Sequence, residues 1–153
     1  MNRIFRGGSN VPRPRTITDK TVAGAYLPGT AIFIGATQFT QATAASGGRL
    51  AILGDRDYYG LSSNAFSQTS PLYTAYMQGE SGVAYLPKPD DEFTVAMGAG
   101  TYTFGHELTV GAAGRFVAAA SGDIVVAHLD QPGMGMLAGL LADVVIANFY
   151  RKT

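Results

Sequence analysis

Glu107-Leu108-Thr109-Val110-Gly111-Ala112-Ala113-Gly114-Arg115-Phe116-Val117-Ala118-Ala119-Ala120-Ser121-Gly122-Asp123-Ile124-Val125-Val126-Ala127 holds three β-like runs, separated by Gly111 to Gly114 and by Ser121-Gly122-Asp123. Each run is too short for a helix of ordinary length, and turn signals this close together indicate a sandwich or barrel, not βαβ units. The same rhythm continues outward in both directions. Further strands are expected at Thr30-Ala31-Ile32-Phe33-Ile34, Arg49-Leu50-Ala51-Ile52-Leu53, Leu72-Tyr73-Thr74-Ala75-Tyr76-Met77 and Glu92-Phe93-Thr94-Val95-Ala96-Met97. A last strand is expected at Val144-Val145-Ile146-Ala147-Asn148-Phe149-Tyr150. Between these runs stand Pro28-Gly29, Ser46-Gly47-Gly48, Gly79-Glu80-Ser81-Gly82 and Gly98-Ala99-Gly100.

Alternation assigns faces. Phe93, Val95 and Met97 share one side of their strand, with Thr94 and Ala96 on the other. Val125, Ala127 and Leu129 oppose Ile124, Val126 and His128, and two apolar faces suit a strand covered on both sides. The segment Met134-Gly135-Met136-Leu137-Ala138-Gly139-Leu140-Leu141-Ala142-Asp143 is expected as a short helical turn or an apolar loop, because its large residues fit a three-four spacing while Gly135 and Gly139 weaken a helix. It reads either as ordinary core or as a subunit contact through Leu137, Leu140 and Leu141.

Composition bounds the rest. The chain has 153 residues, enough for one domain with a real core. Charged residues make up 14% against roughly 25% for an ordinary soluble domain, so part of the neutral surface is expected to lie against a partner. Alanine- and glycine-rich runs such as Ala42-Thr43-Ala44-Ala45-Ser46-Gly47-Gly48 bury little area per residue, and a thin core gains from oligomerisation. The net charge is zero, which argues against nucleic acid held by the whole surface. There is no cysteine, hence no disulfide and no thiolate metal site. The apolar stretch 134–149 is shorter than a membrane span and contains Asp143. The first residues lack the apolar core of a signal peptide, so a soluble protein used in a cytoplasm is expected.

Charge is uneven along the chain. The first twenty residues carry Arg3, Arg6, Arg13, Arg15 and Lys20 against Asp19 alone. With eleven of each sign in the whole chain, the remainder holds six basic and ten acidic residues. Pro12 and Pro14 favour extended backbone and remove ladder donors. Residues 1–20 are therefore expected as an extended basic arm and 21–153 as a single β-rich domain.

No constellation for catalysis emerges. His106 and Glu107 are neighbours and point to opposite faces of a strand. His128 sits in an apolar strand, where a structural role is expected, and no helical His-x-x-x-His spacing occurs. Asp55 with Asp57, and Asp90-Asp91-Glu92, are expected as turn formers. No phosphate loop and no Gly-x-Ser-x-Gly elbow is present. The eight tyrosines lack interleaved basic residues, so nucleic-acid stacking is not expected. The expectation is a protein that is not an enzyme and needs no cofactor and no metal.

The run Thr21-Val22-Ala23-Gly24-Ala25-Tyr26-Leu27-Pro28-Gly29-Thr30-Ala31-Ile32-Phe33 resembles the opening of tailed-phage head decoration (capsid cement) proteins. Gly48 to Leu53, Tyr76 to Tyr85, and Ala99 to Leu108 resemble their following strands and turns, with His106 inserted between the glycine and the acid. Gly114-Arg115-Phe116 and Ser121 to Ala127 are similar to the closing strands. The likeness covers about residues 21–129 and ends before the apolar tail beyond Pro132. It implies an all-β fold, a small β-barrel or β-tulip (β-clip-like) body with an extended N-terminal arm. It also implies a homotrimer on the capsid outer surface, assembled in the host cytoplasm, that clamps neighbouring subunits of the major capsid protein. Arg3, Arg6, Arg13 and Arg15 would then contact the capsid, since guanidinium groups make oriented, bidentate bonds to carboxylates. The other readings are a tail, fibre or baseplate component, or a carbohydrate-binding β module with Tyr58, Tyr59 or Tyr85 as ring platforms.

Overall fold

A computed structural model describes residues 4–7, 13–56 and 71–153. Among them the strands are β1 (Phe5–Gly7), β2 (Thr16–Ile17), β3 (Thr21–Val22), β4 (Ala31–Ile34), β5 (Gln38–Gln41), β6 (Leu50–Leu53) and β7 (Ala84–Tyr85). They continue with β8 (Glu92–Ala96), β9 (Gly100–Tyr102), β10 (Glu107–Val110), β11 (Phe116–Ala118), β12 (Ile124–Leu129), β13 (Met134–Met136) and β14 (Leu141–Arg151). The body is all-β, as the turn spacing requires, and barrel-like in build. No helix among the described residues is long and apolar enough to cross a membrane.

Two six-stranded sheets and a two-stranded ribbon make up the architecture. The first sheet runs β1-β8-β14-β12-β10-β11 and the second β2-β7-β6-β4-β5-β3, while β13 pairs β9. All neighbours are antiparallel except β3 and β5. The inner face of the first sheet supplies Phe93, Val95, Met97, Leu108, Val110, Val144 and Ile146 to the main core, where they meet Ala31 and Ile52 from the second sheet. The other face of the second sheet closes over a smaller core of Val22, Ile32, Phe39, Ala51, Leu53, Tyr76 and Ala84. Strand alternation divides that sheet between the two cores: Ala31 and Ile32, neighbours in sequence, serve different ones.

Three local outcomes differ from the sequence expectations. Leu72 to Met77 is not a strand; a 3-10 turn at Pro71–Tyr73 leads into irregular chain. Tyr76 plugs the smaller core and donates its hydroxyl to the Asp55 carbonyl at 2.7 Å, while Leu72 packs in the main core and Tyr73 and Met77 stay exposed. The segment from Met134 is neither helix nor loop. Met134–Met136 pairs with β9, Gly139 turns at φ +88°, and β14 begins at Leu141, three residues before the expected start. Gly139 donates to the Met97 carbonyl and Met97 to the Leu140 carbonyl, both at 2.8 Å, which ties this turn to the end of β8.

The third difference is a bulge. Between Val125 and Ala127 the partner residue jumps from Tyr150 to Ile146, so β14 carries extra residues opposite Val126, with Phe149 at φ +52°. A bulge shifts which side chains face inward. Ala127 and Leu129 face the main core as alternation predicts, but before the bulge Val126 and Ile124 take that side. Val125 crosses over to pack with Ala119 and Ala147.

The basic N-terminal region contributes folded edges. Ile4 is fully buried, and β1 pairs with β8 through Phe5 opposite Phe93. Phe5, Tyr85 and Phe93 form a ring triangle with centroids 5.3 to 6.1 Å apart that joins β1, β7 and β8. β2 lies at the far edge of the second sheet beside β7. The apolar pair Ile4-Phe5 draws the segment onto the core despite its flanking charges.

The acidic residues of the turns accept main-chain amides, Asp91 within its own turn and Asp55 from the distant β1 segment. Asp91 Oδ2 accepts the Lys88 amide at 2.9 Å, and Asp55 Oδ1 accepts the Ile4 amide at 3.0 Å. Asp57 lies outside the described residues. Glu80 takes the Met77 amide and the Arg56 Nε, each at 2.8 Å. Burial pushes the Glu80 carboxyl up, but Arg56 and the Met77 amide together hold it below the ordinary carboxylate range.

Candidate functional site

Three surface features stand out, and each lies at a different part of the body. The first is the outer face of the first sheet. Side chains opposite the core residues of β1, β8, β10, β12 and β14 point there, and they are largely polar.

At one end Arg6 Nη1 meets Asp143 Oδ2 at 3.0 Å, and the Thr94 hydroxyl donates to Asp143 Oδ1 at 2.9 Å. Gln131 Oε1 accepts the Asp143 amide at 2.9 Å. Arg6, expected at the capsid, thus clips β1 to the sheet within its own chain. The pair is partly exposed, worth about 0–1 kcal/mol, so it orients β1 more than it stabilises the fold.

At the other end Tyr150, Glu107, His128 and Lys152 form a cross-strand group. The Tyr150 hydroxyl donates to Glu107 Oε1 at 2.7 Å and lies 3.0 Å from His128 Nε2. Lys152 Nζ meets Glu107 Oε2 at 2.9 Å. A phenol has one proton, here committed to Glu107, so its oxygen accepts from His128 Nε2–H. Hydrogen bonds from Tyr150 and Lys152 hold the Glu107 carboxyl below its ordinary range. The bond to Glu107 pushes the Tyr150 phenol up.

The sign is the same for both partners across neutral pH. The Glu107 contribution is present above the ordinary carboxyl range and lost as pH falls through its lowered pKa. The Tyr150 contribution is present below the ordinary phenol range and lost as pH rises through its raised pKa. Glu107→Gln is expected to bring the Tyr150 titration down toward that of a free phenol, read by ultraviolet absorbance. An unchanged midpoint would show that the contact does not persist in solution.

The second feature is the ribbon of β9 and β13 with the turn after it. Phe104 is 71% exposed, Met134 49%, Leu137 74% and Leu140 42%. Register places Met134 opposite Tyr102, two residues before Phe104, and Met136 opposite Gly100, just before Leu137. Large apolar side chains therefore flank the ribbon at both ends, while Tyr102 and Met136 anchor it to the main core. Leu141, grouped with Leu137 and Leu140 on sequence, is half-buried and packs against that core.

The third feature is a cleft of about 660 Å³ at one end of the second sheet, lined by residues 15–20, 34–36 and Arg49. Arg15 and Arg49 are exposed at its rim. Arg13 is exposed as well, and Arg3 lies outside the described residues.

The structure thus separates Arg6, on one sheet, from Arg15, at the end of the other. Tyr85, considered as a sugar platform, is held in the ring triangle; Tyr58 and Tyr59 lie outside the described residues. Among the described residues no group of three or more His, Asp or Glu side chains could hold a metal ion. Phe104 and Arg49 escaped sequence reasoning, because their neighbours are set by strand pairing and no local motif marks them. In comparison with known proteins, no family model matches the chain and no curated protein does.

Proposed function

We propose that this chain is a structural virion protein that binds the outer surface of a phage capsid and stabilises it by clamping neighbouring major capsid protein subunits. The observation that carries the reading is the β9–β13 ribbon, whose exposed Phe104, Met134, Leu137 and Leu140 present apolar surface on a chain with few charges. Large apolar side chains left exposed at both ends of one short ribbon fit a protein contact. The ordered run of motifs resembling capsid decoration proteins supplies the kind of partner, and the all-β body agrees with it.

In this reading the ribbon joins copies of the chain into a homotrimer, and the arginine-bearing N-terminal segment faces the shell. Assembly takes place in the host cytoplasm and the finished protein resides on the virion. Small contacts repeated around a symmetric shell add by avidity, so no single deep site is required.

The test is the solution mass by light scattering, alone and after mixing with expanded tailed-phage shells that lack a decoration protein. Co-migration at a saturating, symmetry-related stoichiometry is expected. A stable oligomer that ignores every shell state would sink the reading and favour a tail or baseplate part.

A further inference from the structure

We infer that the cleft rimmed by Arg15, Lys20 and Arg49 accepts an extended, carboxylate-bearing segment of a protein partner. Taking that partner to be the capsid rests on the function proposed above; the chemistry of the cleft does not.

Backbone pairing holds the rim in place. Leu86 donates to the Arg15 carbonyl at 2.9 Å and Ile34 to the Arg49 carbonyl at 3.0 Å, so both arginines spring from positioned chain beside strand ends. Lys20 Nζ donates to the Ala36 carbonyl at 2.6 Å, which braces the ammonium across the cleft with donors to spare. One carboxylate, Asp19, lines the same space.

Three cations outside the cleft are held in ion pairs: Arg6 meets Asp143, Arg56 meets Glu80 and Lys152 meets Glu107. Arg15 and Arg49 have no ion-pair partner among the described residues. Beyond residue 20 acidic residues outnumber basic ones, so two unpaired guanidinium groups and a lysine in one cleft depart from the surface around them. A guanidinium fork matches a carboxylate with two parallel bonds.

Arginine also suits phosphate, but the walls decide between the two. No aromatic ring lines the cleft for a base to stack on, and three cations are no stripe along which a nucleic-acid backbone could track. Ile17 and Ile34 add apolar wall, and Thr16 and Thr18 add hydroxyls, which fits a peptide of alternating character.

The probe is a short peptide with glutamate at every second position and threonine between, added to the isotope-labelled full chain and followed by amide chemical shifts. Its counterpart carries lysine in place of glutamate. Shifts confined to residues 15–20, 34–36 and 49 are expected, weakening as salt rises. The exposed pair R15E/R49E, whose melting temperature checks its fold, is expected to bind the acidic peptide at least about tenfold more weakly. Equal binding of the lysine peptide, unchanged affinity in R15E/R49E, or tighter binding of an oligothymidylate at the same residues would each overturn the assignment. Mixing with shells separates the two claims. An R15E/R49E protein that loses the peptide yet fills shells fully would overturn the capsid as occupant while leaving decoration standing. Wild-type protein that binds the peptide at the cleft but no shell would support the cleft and sink decoration.

Discussion

On the assembly through the ribbon proposed above, Leu137→Asp combined with Leu140→Asp is expected to leave the monomer folded and to abolish self-association. Both side chains are exposed in the isolated chain, so the substitution removes no core contact. The turn that carries them is held by main-chain bonds, Leu140 to the Leu137 carbonyl and Met97 to the Leu140 carbonyl, which a new side chain does not touch. Burying a leucine contributes about 1.5–3 kcal/mol, and each 1.4 kcal/mol is a factor of ten, so two leucines correspond to roughly a hundredfold to ten-thousandfold in association. The aspartates add the cost of desolvating two carboxylates at the contact.

Sedimentation should show the double variant as monomer at concentrations where wild type is oligomeric, with a melting temperature close to that of the wild-type monomer. A variant of unchanged mass that still coats shells would show that the ribbon is not the contact. Leu141→Asp is a different experiment. Its side chain reaches over Gly29 and packs on the main core, so loss of assembly there would come with loss of fold.

The second large effect concerns the joint between the sheets. Gly114→Ala is expected to lower stability by about 2–5 kcal/mol. Gly114 lies at φ +62° in the connection between β10 and β11, and a methyl group there would stand 2.4 Å from the Ala31 carbonyl oxygen and 2.5 Å from Thr30 Cγ2. The left-handed backbone costs an alanine about 1–2 kcal/mol. The clash adds about 1–3 kcal/mol, because its nearest partner is main chain that cannot rotate aside. Ala31 also accepts the Ala42 amide, so it cannot retreat without loosening β4 from the chain beyond β5.

For a chain of this length the change corresponds to roughly 10 °C in melting temperature. Gly105→Ala is the control, with φ +75° and open space around it, and should show the backbone cost alone. Equal losses at the two positions would mean that the sheets yield at Gly114 and that the close approach to β4 is not rigid.

The arm illustrates how far composition carries. Five cations and two prolines in twenty residues read as an extended tail, a reading in which Ile4 and Phe5 count for less than their charged neighbours. In three dimensions two apolar residues suffice, because they complete a core already built by β7 and β8 and meet Asp55, about fifty positions away. Arg6 then has a partner in Asp143 that no local pattern indicates.

What the sequence by itself determined was the β class, half of the described strands and the inward face of β8. Short apolar runs between glycine turns admit little else, and a period of two is a local property of extended chain. Only the tertiary structure decided the rest: the bulge that moves Val125 from the main core to the small cluster with Ala119 and Ala147, the ribbon pairing of β9 with β13, the plug at Tyr76 and the cleft lined by both Arg15 and Arg49. Each depends on which strands lie side by side, with partners tens of residues apart. That choice is made by the packing of two whole sheets on a shared core, a global term that no window of neighbouring residues contains.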